Sequence, residues 1–588
     1  MWSGKLWSGL RAPIAAGFAF GLSGCISSSA LPPWFSQGMM NDLRLQDEAN
    51  RTQQEYQDFI AARYAGMAGD PSAAAAYYRR AFGNAPTDAT LLERAAFATL
   101  ASGDAREAIR VAAAANPSVS ATSPSAQLAL IVSEIGAGNV KSALQRLKTS
   151  NLGAINADLS GFLTAWLTAQ ENIDKGLGVL AAIAPRRAMA GEQAAVQGLV
   201  LMSGGRDDKA SEAFAQAQRL PLASTDLIAA LNARLLASRS DFAGARKAIA
   251  EEVDQHGPGS ATDYALGLLE SGQPVPHPKL SVRQGAAMVI YLVSAGGIAR
   301  SSPEIAALRY SLALQLDPEL APARMRFADA FEQQDRLEDA IEVLREINAN
   351  SPWRAEARIQ EAWLLDKLER PGEALVAADQ ALVSSRRRDV VLGAADLNRI
   401  NGANERAIKL YDEVVAADAA AGAADWQVLF ARATVRNAAG DWKGAETDAM
   451  AALAIEPDRP ELQNFLGYAW VNRGERVQEG MALIRKAAAS RPDQGYILDS
   501  LGWAHYRLGQ YPEAVEALER AAELSPTDTE VLDHLGDAYW RVGREAEARY
   551  QWAAALARKP DPTREQSLRG KLDKGLPAAS AASLASRP

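Results

Sequence analysis

Enzyme chemistry in this chain would have to come from histidines, thiols or nucleophile-bearing turns, and these are sparse. Four histidines occur in 588 residues, His256, His277, His505 and His534. No two of them have the H-E-x-x-H spacing that lets neighbouring helical turns share a zinc ion. Gly570-Lys571 is followed by Leu572, so a phosphate loop would lack its magnesium-binding hydroxyl. Gly21-Leu22-Ser23-Gly24 is not a nucleophile elbow. Asp533 and His534 are adjacent, and adjacent helical side chains diverge by about 100°. His505 fills the slot that Tyr539 fills one period later, so it reads as a packing residue. The expectation is a protein that is not an enzyme, with no catalytic residue, metal or cofactor.

What recurs instead is chemistry suited to recognition. Asp499, Trp503 and Tyr506 stand at i, i+4 and i+7, on one face of one helix. Asp533, Asp537 and Trp540 repeat the spacing 34 residues on, with Arg507 and Arg541 following each set. In the preceding unit the same alignment gives Asn464, Tyr468, Val471 and Asn472. Aromatic platforms flanked by charge are typical of binding hot spots. An acidic groove suits a basic or amine-rich segment, and the arginines suit carboxylates. The alternative is that Trp503 and Trp540 pack between neighbouring helices.

The elements that position these residues repeat as well. Pro492, Pro526 and Pro560 lie 34 residues apart, and each closes the same phrase. Leu501-Gly502-Trp503-Ala504-His505-Tyr506-Arg507-Leu508-Gly509 aligns with Leu535-Gly536-Asp537-Ala538-Tyr539-Trp540-Arg541-Val542-Gly543. Ala514 and Ala548 share that offset, as do Ala521 and Ala555. Leu498, Leu501, His505 and Leu508 share a helical face; Gly509 stops that helix and Pro512 starts the next, which buries Ala514, Leu518 and Ala521. Each hairpin keeps an apolar face that only a neighbour can cover. This period and phrase resemble the tetratricopeptide repeat, which implies an all-α superhelix, an α-solenoid, here in two lobes.

Looser phrases extend the array. Examples are Gly69/Ala74/Tyr78/Ala81/Pro86 and Trp442/Ala445/Ala452/Pro457. Between 117 and 300 they degrade, although Gly138/Ala143/Leu147 and Ala210/Phe214/Ala217 keep the rhythm. Residues 50–559 would hold roughly fourteen hairpins at that period. Pro274, Pro276 and Pro278 mark a hinge at 271–282, between degenerate repeats at 50–270 and clearer ones at 283–560. A capping helix is expected at 561–576 and a disordered Ala/Ser tail at 577–588.

The N-terminus carries an address. Lys5 and Arg11 precede an apolar run at 12–22, too short to span a bilayer and readable as a signal-peptide core within 1–24. Leu22-Ser23-Gly24-Cys25 comes next and resembles the lipobox of bacterial lipoproteins, which implies acylation of Cys25, the only cysteine present. A single acyl chain binds membranes weakly, whereas the several chains of a lipoprotein cysteine anchor stably. Ile26 stands where an aspartate would resemble an inner-membrane retention signal, so the resemblance implies lipid anchoring on the periplasmic face of the outer membrane. Residues 25–49 read as the lipidated N-terminus and a tether. The formal charge of −9 becomes −11 once Lys5 and Arg11 leave with the leader, an acidic balance that disfavours nucleic acid.

Residues 429–556 are similar to the C-terminal repeats of large proteobacterial tetratricopeptide lipoproteins, above all Asp499-Ser500-Leu501-Gly502-Trp503 and 533–540. That family includes the adaptor of a periplasmic carboxyl-terminal processing protease that degrades peptidoglycan hydrolases. The resemblance implies a non-catalytic scaffold recruiting such a protease and its cell-wall-hydrolase substrates. The alternative is a structural component or pilotin of an envelope secretion or polysaccharide-export machine. Asp499 and Asp533 stand where chaperone-type repeats place the lysines of a carboxylate clamp, so that mode of binding is not implied.

Overall fold

The computed structural model describes residues 37–183, 189–296 and 302–577. Among these residues there are 31 α-helices, one 3-10 turn at Ala154–Asn156 and no strand. Twenty-eight helices pair into fourteen hairpins; Pro117–Ser120, Ser260–Glu270 and Pro562–Lys574 stand outside the pairs.

The hairpin Gly495–Arg507/Tyr511–Leu524 shows why the phrase folds this way. Gly509 takes φ 75°, a left-handed value that favours glycine, and reverses the chain. Pro512 lies in the first turn of the second helix, where its missing N–H costs nothing. Ala514, Leu518 and Ala521 are fully buried. A Cβ on Gly502 would meet Leu518 Cγ at 2.5 Å, so the two helices pack more closely than a side chain would allow. Aspartates cap several hairpins; Asp441 Oδ1 accepts from Gly444 N at 3.0 Å, and such a cap contributes about 1 kcal/mol.

Repeats that are faint in the sequence still fold as hairpins. Ala143, Leu147, Ala210, Phe214 and Ala217, which keep the alanine-aromatic rhythm, are all buried. The expected hinge needs correction. Residues 271–281 between Ser260–Glu270 and Val282–Ala295 are non-helical, but the next hairpin does not begin a separate lobe. Val282–Ala295 and Pro303–Leu316 pack into the N-terminal superhelix, against Ala157–Ala169 and Ala89–Ala101 respectively. The first of the two is buried on every side from Gly285 to Ala295, as an interior helix must be.

Polar contacts fix this inserted hairpin. Trp166 Nε1 donates to Val282 O at 3.0 Å, and Ser311 Oγ donates to Leu100 O at 3.1 Å. Arg309, fully buried, donates through Nη2 to Ile155 O at 2.6 Å and to Asn156 Oδ1 at 3.0 Å. Burial pushes its guanidinium down to about 10. One hydrophobic cluster consequently runs from Leu100 to Val435, across the proline-rich segment. Two lobes joined by a hinge would have left few contacts across it.

Beyond residue 435 the array becomes an arm of small, separate clusters, each shared by neighbouring hairpins. At the start of the described chain, Gln37–Met67 is a 31-residue helix, so part of the stretch read as a tether is helical. The signal-peptide core and Cys25 lie outside the described residues. Among the described residues no helix is long and apolar enough to cross a membrane.

Candidate protein-binding groove

The first helices of the last hairpins, Pro460–Arg473, Gly495–Arg507 and Thr529–Arg541, carry all nine residues singled out for binding. Consecutive first helices are linked by contacts about one period apart. Asp499 accepts from His534 Nδ1 at 3.0 Å, and Arg507 Nη1 donates to Asn472 Oδ1 at 2.7 Å. Arg541 Nε donates to the Tyr506 hydroxyl at 3.2 Å. The Trp503 ring stacks on His534 at 4.0 Å and on Tyr506 at 4.9 Å, and its Nε1 reaches Asn472 Oδ1 at 3.3 Å. Burial opposes a charge on His534, but the Asp499 carboxylate and its hydrogen bond outweigh that and hold the imidazole above its ordinary range.

The acidic groove expected to receive a basic ligand is already occupied by the chain itself. Pro562–Lys574 covers the last hairpin, and Lys571 Nζ lies 2.6 Å from Asp533 Oδ1 and 2.7 Å from Asp537 Oδ1. Asp537 also accepts from Trp552 Nε1 at 3.0 Å. Leu568 of the covering helix is fully buried, and Leu572 and Leu576 pack on the same cluster. Trp540 sits against Trp552 at 5.5 Å and backs onto Gly575. Arg541 Nη1 donates to Pro577 O at 2.6 Å. Burial raises the Asp537 carboxyl even though Lys571 draws it down. Burial would lower the Lys571 ammonium, but Asp537 and Asp533 hold it above its usual value.

Asp499, Asp533 and Asp537 are therefore buried and satisfied within the chain, which corrects their reading as ligand-facing acids. Trp503, Tyr506, Arg507 and Tyr468 remain half-buried on the first helices, and Asn472 beside them is exposed. Burial, then the charges of Glu530 and Asp499, pushes the Tyr468 hydroxyl up. The sequence reading missed the partner of the acids, although a signal for it was present: Lys571 lies one 34-residue period beyond Asp537, where the covering helix replaces the next first helix. Among the described residues no group of three or more His, Cys, Asp or Glu could hold a metal ion.

The family model described as TPR repeat matches residues 502–543. The TPR repeat-containing protein PA4667 of Pseudomonas aeruginosa is 37% identical over 90 residues, which is 15% of this chain and 15% of that protein. A tetratricopeptide repeat protein from Parabacteroides merdae aligns with 43% of this chain and 97% of its own, at 14% identity and a TM-score of 0.37. The Cut9-Hcn1 structure of the APC/C aligns with 89% of this chain and 96% of its own, at 14% identity and a TM-score of 0.36. The chain is an all-α tetratricopeptide-repeat solenoid, a fold that serves as a protein-protein interaction scaffold.

Proposed function

We propose that this scaffold is a lipid-anchored adaptor on the periplasmic face of the outer membrane, which holds a carboxyl-terminal processing protease beside peptidoglycan-hydrolase substrates. The observation that carries this reading is the repeat array itself, with the half-buried aromatic side chains of Tyr468, Trp503 and Tyr506 along successive first helices. The phrases at 499–503 and 533–540 and the Leu22-Ser23-Gly24-Cys25 sequence support the family and the anchor. In this reading the chain supplies no chemistry. Holding protease and substrate on one surface raises their effective concentration, which is worth on the order of 10² to 10⁴ in avidity.

The test is reconstitution. Purified chain alone should hydrolyse nothing, and it should accelerate cleavage of a peptidoglycan hydrolase when a carboxyl-terminal processing protease is added. Cys25→Ser should abolish palmitate labelling and membrane fractionation while leaving that acceleration intact in solution. Unchanged protease activity, with no protease copurifying from cells, would exclude the adaptor. Copurification with a secretin or porin instead would assign the chain to an envelope machine.

A further inference from the structure

A cavity along the first helices of the C-terminal arm is not filled by the chain itself. A cavity of about 410 Å³ lies where the first helices of three successive hairpins, Trp426–Ala438, Pro460–Arg473 and Gly495–Arg507, face the same side. Phe430 and Phe465 meet edge to face there, with ring centroids 5.4 Å apart. Tyr468 and Tyr496 complete the aromatic wall, and Tyr496 is 45% exposed although it is a large ring. Glu461 is the one charged side chain in the lining.

Among these aromatic residues sits an amide with an unmet hydrogen bond. Asn464 lines the cavity and is only 8% exposed, yet its buried Oδ1 has no hydrogen-bond partner. A buried polar atom left unpaired costs stability and is uncommon in folded proteins. Rotation about the terminal torsion exchanges the two ends of the amide, so Asn464 can offer either an acceptor or a donor to the cavity. Either function matches one half of a main-chain peptide unit, its N–H or its C=O. The volume is at the lower end for ligand sites and fits one or two side chains.

We infer that the cavity bounded by Phe430, Phe465, Tyr468 and Tyr496 receives an extended segment of a partner protein. That segment inserts an aromatic or branched apolar side chain, hydrogen-bonds its main chain to Asn464, and places a neighbouring basic residue against Glu461. This rests on the scaffold reading above and gives it a recognition chemistry. The ligand class also differs from the one the buried acids suggested: Asp499, Asp533 and Asp537 are internally paired, so selectivity comes from the apolar side chain and the peptide unit, with a single carboxylate at the edge.

The test uses the full chain and a fluorescein-labelled, end-blocked peptide of sequence Gly-Ser-Gly-Phe-Lys-Gly-Ser-Gly, read by anisotropy. Replacing its Phe by Ala should weaken binding at least tenfold, and replacing its Lys by Glu severalfold. Asn464→Leu should weaken binding severalfold while the melting temperature stays the same or rises, because the unpaired oxygen is gone. Rescue of binding by Asn464→Gln would support the peptide-unit contact. Equal binding of the Phe and Ala peptides would overturn the inference, as would an Asn464→Leu variant that melts lower and binds normally. Failure of these peptides with intact protease acceleration would remove the cavity proposal alone. Peptide binding without protease acceleration would instead remove the adaptor and leave the cavity.

Discussion

Lys571→Ala isolates the contact that closes the C-terminal end of the array. The ammonium lies 2.6 Å from Asp533 and 2.7 and 2.9 Å from the two oxygens of Asp537, and its side chain is 15% exposed. Removing one partner of a buried charge pair costs about 3–5 kcal/mol, chiefly because the remaining charges stay buried and unpaired. Residual solvent access argues for the lower end, about 3 kcal/mol. At about 1.4 kcal/mol per tenfold, amides of Thr529–Arg541 should exchange about a hundredfold faster, while those upstream of residue 426 stay unchanged. Burial already raises the Asp537 carboxyl, so the variant's folded state takes up a proton before its unfolded state does, and acidification should restore part of the loss. The triple change Asp533→Asn, Asp537→Asn and Lys571→Met should come within about 1 kcal/mol of the parent, since it removes the charges together. Hydrogen exchange read by mass spectrometry reports each segment separately. Parental protection of residues 529–557 in Lys571→Ala would refute the reasoning.

His534 gives the same arm a pH dependence. Its folded pKa is raised above about 6.5, so its contribution is full below that value and is lost as pH rises through the folded pKa. The last two hairpins should therefore melt lower at pH 9 than at pH 6, and Asp499→Asn should flatten that slope; a slope that survives in the variant would point to another group. Heat or denaturant should also unfold the chain in at least two steps. The small clusters beyond residue 435 should open first and the block from 100 to 435 second, because only the latter shares one core across distant segments. Coincident transitions by tryptophan fluorescence and circular dichroism would count against this order.

The repeat was legible because its rules are local. Gly509 and Pro512 specify a turn and a helix start from a few residues, and Leu501-Gly502 with Ala514 specifies the close approach. The inserted hairpin was not legible, because burial on every side looks like any apolar helix until its neighbours are known; Arg309 and Ile155 are 154 residues apart. The proline cluster signals a break in helix and says nothing about where the chain goes next. The acids of the groove were misread for a related reason. Asp499, Asp533 and Asp537 stand on successive first helices, but whether such a carboxylate is open depends on the next helix along the chain: Thr529–Arg541 covers Asp499 through His534, and Pro562–Lys574 covers Asp533 and Asp537. Asn464 was visible as one member of an aligned series, while its unpaired oxygen is a property of the packed state alone.

The hairpin inside the N-terminal superhelix also gives the chain an order of assembly. Residues up to 270 emerge from the ribosome before the hairpin around which they close exists. Ser311 must then find Leu100, 211 residues back, and Arg336 must find Ala101, 235 residues back. Contacts at such separations form late and slowly, whereas a plain row of hairpins could zip from either end. Until Val282–Ala295 arrives, the helices meant to surround it expose Leu, Ile and Trp side chains to solvent. A chaperone that binds apolar segments would find its substrate in that interval, and a chain truncated at residue 270 would never leave it.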